Sequence, residues 1–307
     1  VPSAAAMGVV LLGPCLAAYL VNAYWVGTKS YVTVSAGART ALRPTPPAVR
    51  WPLFALSGGL ALFIALIYAL IPWGSFVRLW GSDWSLSLRH YDFTSSAEGA
   101  WPVWNSVKLA AVSGVVGTVV ALVTAYIVER KRPPGRRAIE ALSLLPAALP
   151  GTVIGVGYIL AFNVPPILLT GTIWMLVTSV VFWKFPVAAL AGINALKQID
   201  PAIEEAAVSL GAGSVRTFWR VVMPLLTGTA FSIFVYFFIN GMVTVSAVIF
   251  LIYPGFNLGS VAILNQVENG FPGVACALGT IILAIVIGSV LLLRALVGGE
   301  RVAVLKL

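Results

Sequence analysis

The feature that most limits what this chain can fold into is a set of long runs without a single charge. They are Ala4–Val26, Pro52–Phe76, Leu109–Val128, Ala141–Ala161, Ile167–Trp183, Gly228–Tyr253 and Gly273–Leu293, and none contains Asp, Glu, Lys, Arg or His. A helix needs about 20 apolar residues to cross a bilayer. Lipid offers no partner to backbone polar groups, so helices that satisfy their own hydrogen bonds are the natural reading. A membrane barrel would alternate apolar and polar residues, and these runs do not. Of 307 residues, 60% are hydrophobic and 9% are charged, against about 25% charged in a soluble domain. The polar side chains are too few to cover a water-facing surface. Composition therefore excludes a soluble enzyme or a disordered chain and predicts an all-α integral membrane protein with about seven transmembrane helices.

Lys and Arg orient the spans, because cytoplasmic loops carry the excess. With Lys29–Arg50 inside, sixteen of the nineteen basic residues fall on the inner side, leaving only Arg78, Arg89 and Lys108 outside. The formal charge of +9 is then mostly an insertion bias and needs no nucleic-acid partner. Cys15 and Cys276 sit inside apolar runs, and His90 stands alone in a polar loop, so neither a disulfide framework nor a metal cluster is expected. The chain opens with Val1 directly in an apolar run with no basic segment before it, which does not read as a signal peptide and suggests the C-terminal part of something longer.

The inner segment 184–227 is less apolar than its neighbours and carries the most information. Asp200 followed by Pro201 is a helix start, with Glu204 and Glu205 near its positive end. Ile203, Ala206, Ala207 and Leu210 make one apolar face, and Gly211 is placed to stop the helix left-handed. Ser214 then caps a second helix with Val215, Phe218, Trp219 and Val222 on one face, before Pro224. Two short helices that cannot span a membrane have three uses: they lie in the headgroups, pack as filler, or dock into a soluble partner.

Here the residues resemble a known family. Glu205-Ala206-Ala207, three residues, Gly211, nine residues, then Val221-x-Met223-Pro224 resembles the EAA motif of binding-protein-dependent ABC importer permeases, with Val and Met replacing the usual Ile and Leu. The resemblance covers about Trp101 to Arg294. It implies that this loop is a coupling helix received by a separate ATPase, with Glu204, Glu205, Ala206, Ala207, Gly211, Arg216 and Pro224 at or near that contact. The chain has no GxxxxGK[ST], HExxH or GxSxG string. It is therefore expected to be a transport subunit, not an enzyme, with no cofactor of its own and ATP bound by the partner.

The resemblance also divides the chain. Residues 1–27 read as the last span of a preceding permease module, or as one extra span. Residues 28–51 are a cytoplasmic linker, 52–103 the first span of a second module and an outer loop, 104–296 the core permease domain with coupling loop 184–227, and 297–307 a cytoplasmic tail. Expected partners are an ABC ATPase dimer, a periplasmic binding protein, a second permease module and the lipid of a bacterial inner membrane. The strings Gly151–Thr172, Leu196–Gly213 and Thr244–Gly270 resemble the fused, two-module ferric-iron type, whose relatives are assigned to 2-aminoethylphosphonate, polyamine, thiamine or sulfate. An ion-coupled secondary transporter is the rival class, and it would usually need an intramembrane acid or histidine.

Several polar residues are candidates for a pathway. Phe237, Asn240 and Thr244 share a face, and Tyr158 and Asn163 lie near the outer end of the fourth run. They line a solute path or bond between helices. Asp83, Asp92, Glu98 and Glu268 are outer acids that favour a cation at the mouth, meet a basic partner, or simply solvate loops. Ser113, Gly117, Ala121 and Ala125 form a small-residue stripe for close helix packing, as do Gly151 and Gly155. Pro146 and Pro150 predict a kink.

Overall fold

The computed structural model describes residues 46–93 and 99–297, together with the single positions Val10, Pro14 and Ala17. The expected span Ala4–Val26, most of the linker, Glu98 and the tail beyond 297 lie outside the described residues.

The elements in order are α1 (Pro47–Phe76), a hairpin of β1 (Val77–Leu79) and β2 (Asp83–Leu86), α2 (Trp101–Tyr126), α3 (Arg136–Leu144), α4 (Gly151–Phe162), α5 (Ile173–Lys197), α6 (Ala202–Ser209), α7 (Ser214–Thr217), α8 (Thr227–Val243), α9 (Gly259–Glu268) and α10 (Pro272–Val297). A π turn at Ile127–Lys131 extends α2, and another at Phe218–Val222 extends α7 before a last turn at Met223–Leu225. Among the described residues four helices are long and apolar enough to cross a membrane, and two bent pairs bring the number to six. These six account for the six runs expected within this region, and the protein is an all-α membrane fold.

Helices α2, α5 and α8 form the core, with α10 bridging α1 and α9. Leu109, Leu122, Leu176, Leu196, Phe237 and Met242 are completely covered. Small residues make the close approach possible, as the stripe on α2 predicts: Ser113, Ala121 and Ala125 have no exposure. A Cβ on Gly117 would stand 2.6 Å from the Phe237 ring, and one on Gly241 would stand 2.7 Å from Ala110 Cα. By contrast, the apolar window of α1 is 0% buried within this chain, so its surface is left to lipid or to another helix.

Three spans differ from the sequence expectation. The fourth run is not one kinked helix: Ala138–Ala148 and Gly151–Phe162 meet at 114°. Pro146 sits in a 3-10 turn, and Pro150, which has no N–H to continue a helical ladder, stands in extended conformation at the break. The fifth run was expected to end at Trp183, before the first charge, yet α5 continues to Lys197. Lys184 therefore belongs to the middle of a span, not to the inner loop, and its ammonium lies 3.6 Å from the centre of the Trp183 ring. The sixth run leaves helical geometry at Val243. Thr244 is extended, and its carbonyl accepts a 2.6 Å bond from Ser260 Oγ. The following turn lays the Ala247 carbonyl over Gly155, where a Cβ would stand 2.7 Å away. Tertiary packing on α4, not hydropathy, ends that helix.

Candidate coupling surface and membrane pathway

The segment after α5 is built by local signals. Asp200 Oδ1 accepts the Ala202 N–H at 2.9 Å, which starts α6. Gly211, at φ +82°, ends it. The Ala212 N–H reaches Ala207 O at 3.0 Å and the Gly211 N–H reaches Val208 O at 2.8 Å, the paired bonds of a Schellman cap. A side chain with a Cβ is strained in that conformation, so the stop needs glycine.

The apolar face of α6 is open, as docking to a partner or to headgroups would leave it, while Glu204 leaves the contact that the resemblance implies. The apolar set Ile203, Ala206 and Leu210 is exposed, and only Ala207 is half-covered. Leu210 is 89% exposed, Val215 72% and Val208 57%. Glu204 points inward instead. Its carboxylate lies 2.8 Å from Arg130 Nε, with side-chain exposures of 13% and 12%. Tyr126 Oη donates to Glu204 Oε2 at 3.1 Å. Arg130 Nη2 also donates to the carbonyls of Leu196 at 2.8 Å and Ile199 at 2.6 Å. Those carbonyls lie at and just beyond the C-terminus of α5, where a cation also suits the helix dipole.

The second short helix is held to the same turn of α2. The Ser214 hydroxyl bonds Lys131 Nζ at 2.9 Å and caps nothing. The Phe218 ring stands 4.8 Å from Tyr126. Phe218 and Val222 are buried, while Val215 and Trp219 remain exposed, so the expected single face is split. The π turn at 218–222 changes the angular step on which that face depended. Glu205, Ala206, Arg216 and Pro224 are all exposed on this surface. A second charged group lies alongside: Arg136 bonds Glu140 at 2.7 Å and approaches Glu129 at 3.4 Å. The Glu140 hydrogen bond holds the Arg136 guanidinium above its usual pKa.

The pathway candidates do not converge on one cavity wall. Phe237 is fully buried against Gly117 in the core. Asn240 turns its amide back to Tyr236 O at 2.8 Å, and the Tyr158 ring lies 5.2 Å from Phe162, tilted by 51°. Asn163 is exposed at the end of α4. Thr244 is buried, with no hydrogen-bond partner for its hydroxyl. The outer acids are also dispersed. Asp83 pairs with Arg78 at 3.5 Å within the hairpin, and hydrogen bonds from Ser85 hold its carboxyl below the usual carboxylate range. Asp92 follows the 3-10 turn at Arg89–Tyr91, and Glu268 ends α9. Among the described residues no three of His, Cys, Asp and Glu gather where a metal could be held. The outer side instead carries a 570 Å³ cavity lined by Trp101, Asn105, Tyr253, Asn257 and Asn265.

Sequence reasoning missed the Arg130–Glu204–Tyr126 group and the placement of Lys184. No spacing rule joins residues 74 apart. The one available signal was a doubled Glu where a single one suffices for the motif.

Comparison with known proteins agrees with this architecture. Residues 117–298 match the family model described as binding-protein-dependent transport system inner membrane component. The chain is 36% identical over 305 residues to a ferric transport system permease protein of Actinobacillus pleuropneumoniae, covering 98% of this chain and 44% of that one. It therefore spans less than half the length of that relative. It is 28% identical over 197 residues to a sulfate transport system permease protein of Salmonella typhimurium, covering 59% of this chain and 70% of that one. Among solved structures, a bacterial alginate ABC transporter in complex with its periplasmic protein matches with TM-score 0.64 at 18% identity, covering 81% of this chain and 94% of that one. The chain belongs to the family of inner-membrane components of binding-protein-dependent transport systems.

Proposed function

We propose that this chain supplies a membrane-spanning module of a bacterial ABC importer and that ferric iron is its solute. The observation that carries the importer reading is the exposed apolar surface of α6 and α7. Ile203, Val208, Leu210, Val215 and Trp219 lie outside the bundle on elements too short to cross a membrane, and on the side that Lys and Arg mark as cytoplasmic. Such a surface is completed by a protein partner that receives a helix. A separate ATPase pair is that partner. The chain itself does not hydrolyse ATP.

The ferric assignment rests on the 36% identical relative. A preceding permease module, ending in residues 1–27 and joined through the 28–51 linker, is part of the same reading, since the match accounts for only 44% of that relative. A loaded periplasmic protein docks outside. ATP closes the ATPase pair, α6 and α7 follow, and the bundle alternates between inward and outward access. Each step requires the loop to hold one bundle state better than the other. The acids of the described spans, Glu129 and Glu140, lie at the inner ends and pair with Arg136, so the spans assemble no set of hard oxygen ligands for a ferric ion; recognition rests with the periplasmic protein and passage is brief.

A second reading, a sulfate-like oxyanion as solute, is favoured by Lys184. An ammonium midway along a membrane helix suits an anion better than a bare cation. One experiment separates the two. The full-length permease, its ATPase and its periplasmic protein are reconstituted in vesicles, and ATP-dependent uptake of labelled ferric iron and labelled sulfate is compared. Iron uptake supports the first reading, sulfate uptake the second, and uptake without ATP overturns both.

A further inference from the structure

We infer that Glu204 is a positioning residue, tying the cytoplasmic helix to the membrane bundle through Arg130, while Glu205 is left to meet the partner. This deepens the ATPase-coupled reading and rests on it. The two adjacent carboxylates stand in different surroundings. Glu205 is exposed. Glu204 is nearly covered, in contact with Arg130 and held from the other side by Tyr126.

The Arg130–Glu204 contact is an ion pair and not an aligned hydrogen bond, because Arg130 Nε and Glu204 Oε1 are both buried without one. Arg130 donates from Nη2 to two carbonyls at and just beyond the α5 end. A single guanidinium therefore joins α2, the end of α5 and α6. The second arm of the loop reaches the same turn through Tyr126–Phe218 and Lys131–Ser214. The π turn at 127–131 presents these side chains, and Arg132 in left-handed conformation closes it.

Few other contacts fix α6. Its apolar residues are outside, so a push on Leu210 or Val208 passes into the bundle directly through Glu204, and less directly through α7 and the 218–222 turn. An uncharged Gln keeps the length of Glu but has one acceptor oxygen in place of two, so it turns a donor amide or a neutral oxygen toward Arg130 and the tie slackens while the exposed surface is unchanged. Asp keeps the charge.

The test uses the assembled importer in nanodiscs, with ATP hydrolysis measured with and without the periplasmic protein. A signal from outside that reaches the ATPase through α6 crosses the same tie. In Glu204→Gln, ATPase subunits still co-purify and basal hydrolysis persists, but stimulation by the periplasmic protein falls about tenfold. Glu204→Asp restores most of it. In Glu205→Lys, by contrast, the ATPase subunits are lost. Unchanged stimulation in Glu204→Gln overturns the inference. So does loss of the ATPase from Glu204→Gln, which makes Glu204 a partner contact. If the wild-type assembly captures no ATPase, the coupling reading itself fails.

Discussion

The inner segment 198–226 and the outer segment 244–271 have similar lengths and opposite designs. The outer one is folded into the bundle. Ala247, Val248, Leu251, Leu258, Val261 and Ala262 are buried. Its polar groups find neutral partners: Ser260 on Thr244 O at 2.6 Å, Asn105 on Asn257 O at 3.1 Å, and the Gly259 N–H on Ser106 Oγ at 2.9 Å. The inner one is buried only toward its C-terminal end, at Thr217, Phe218, Val222 and Leu226, while its first helix is tied to the bundle by charge at Glu204. A segment packed over its whole length moves with the bundle. A segment held at a few points transmits what pushes it. The outer loop is part of the core, and under the proposed coupling the inner loop acts as a lever.

Substitutions can break this contrast, and the largest effect belongs to the outer segment. Leu258 is completely buried, so Leu258→Ala costs about 2–5 kcal/mol and lowers the thermal midpoint of the purified protein. Unchanged melting would show that the outer loop is not core. Next comes Gly211→Val. A β-branched residue at φ +82° costs roughly 1–3 kcal/mol of local strain. It unwinds the end of α6, and uptake fails while membrane insertion, followed by membrane fractionation, is normal. Ser260→Ala removes a buried bond for about 1 kcal/mol and gives a small fall in melting temperature. The smallest effect on stability is Leu210→Ala. This side chain is 89% exposed, so stability changes by less than about 0.5 kcal/mol. Its ATPase capture in a pull-down nevertheless weakens. That last pair of results sharpens the contrast most, because it separates folding from coupling at one residue.

Much of the fold was legible because membrane helices announce themselves by uncharged length. The small-residue stripe on α2 and the Asp200 and Gly211 boundaries were also legible, since each is a local rule that the structure obeys. The misses have separate causes. Ending a span at its first charge placed Lys184 outside the membrane, whereas stacking on Trp183 lets the helix run on. The resemblance grouped Glu204 with Glu205 at the partner contact, because local spacing cannot show that an arginine 74 residues earlier turns it inward. Here a charge pair with a distant arginine takes the inner side, and the apolar side is left for another molecule. Thr244 failed for the third reason: hydropathy continues past it, but Ser260 and Gly155 redirect the backbone.

The most direct measurement follows Leu210→Cys with a membrane-impermeant thiol reagent in oriented vesicles carrying the full permease. The account predicts reaction in inside-out vesicles and protection when the ATPase is added. Reaction confined to right-side-out vesicles, or no protection by the ATPase, would contradict it.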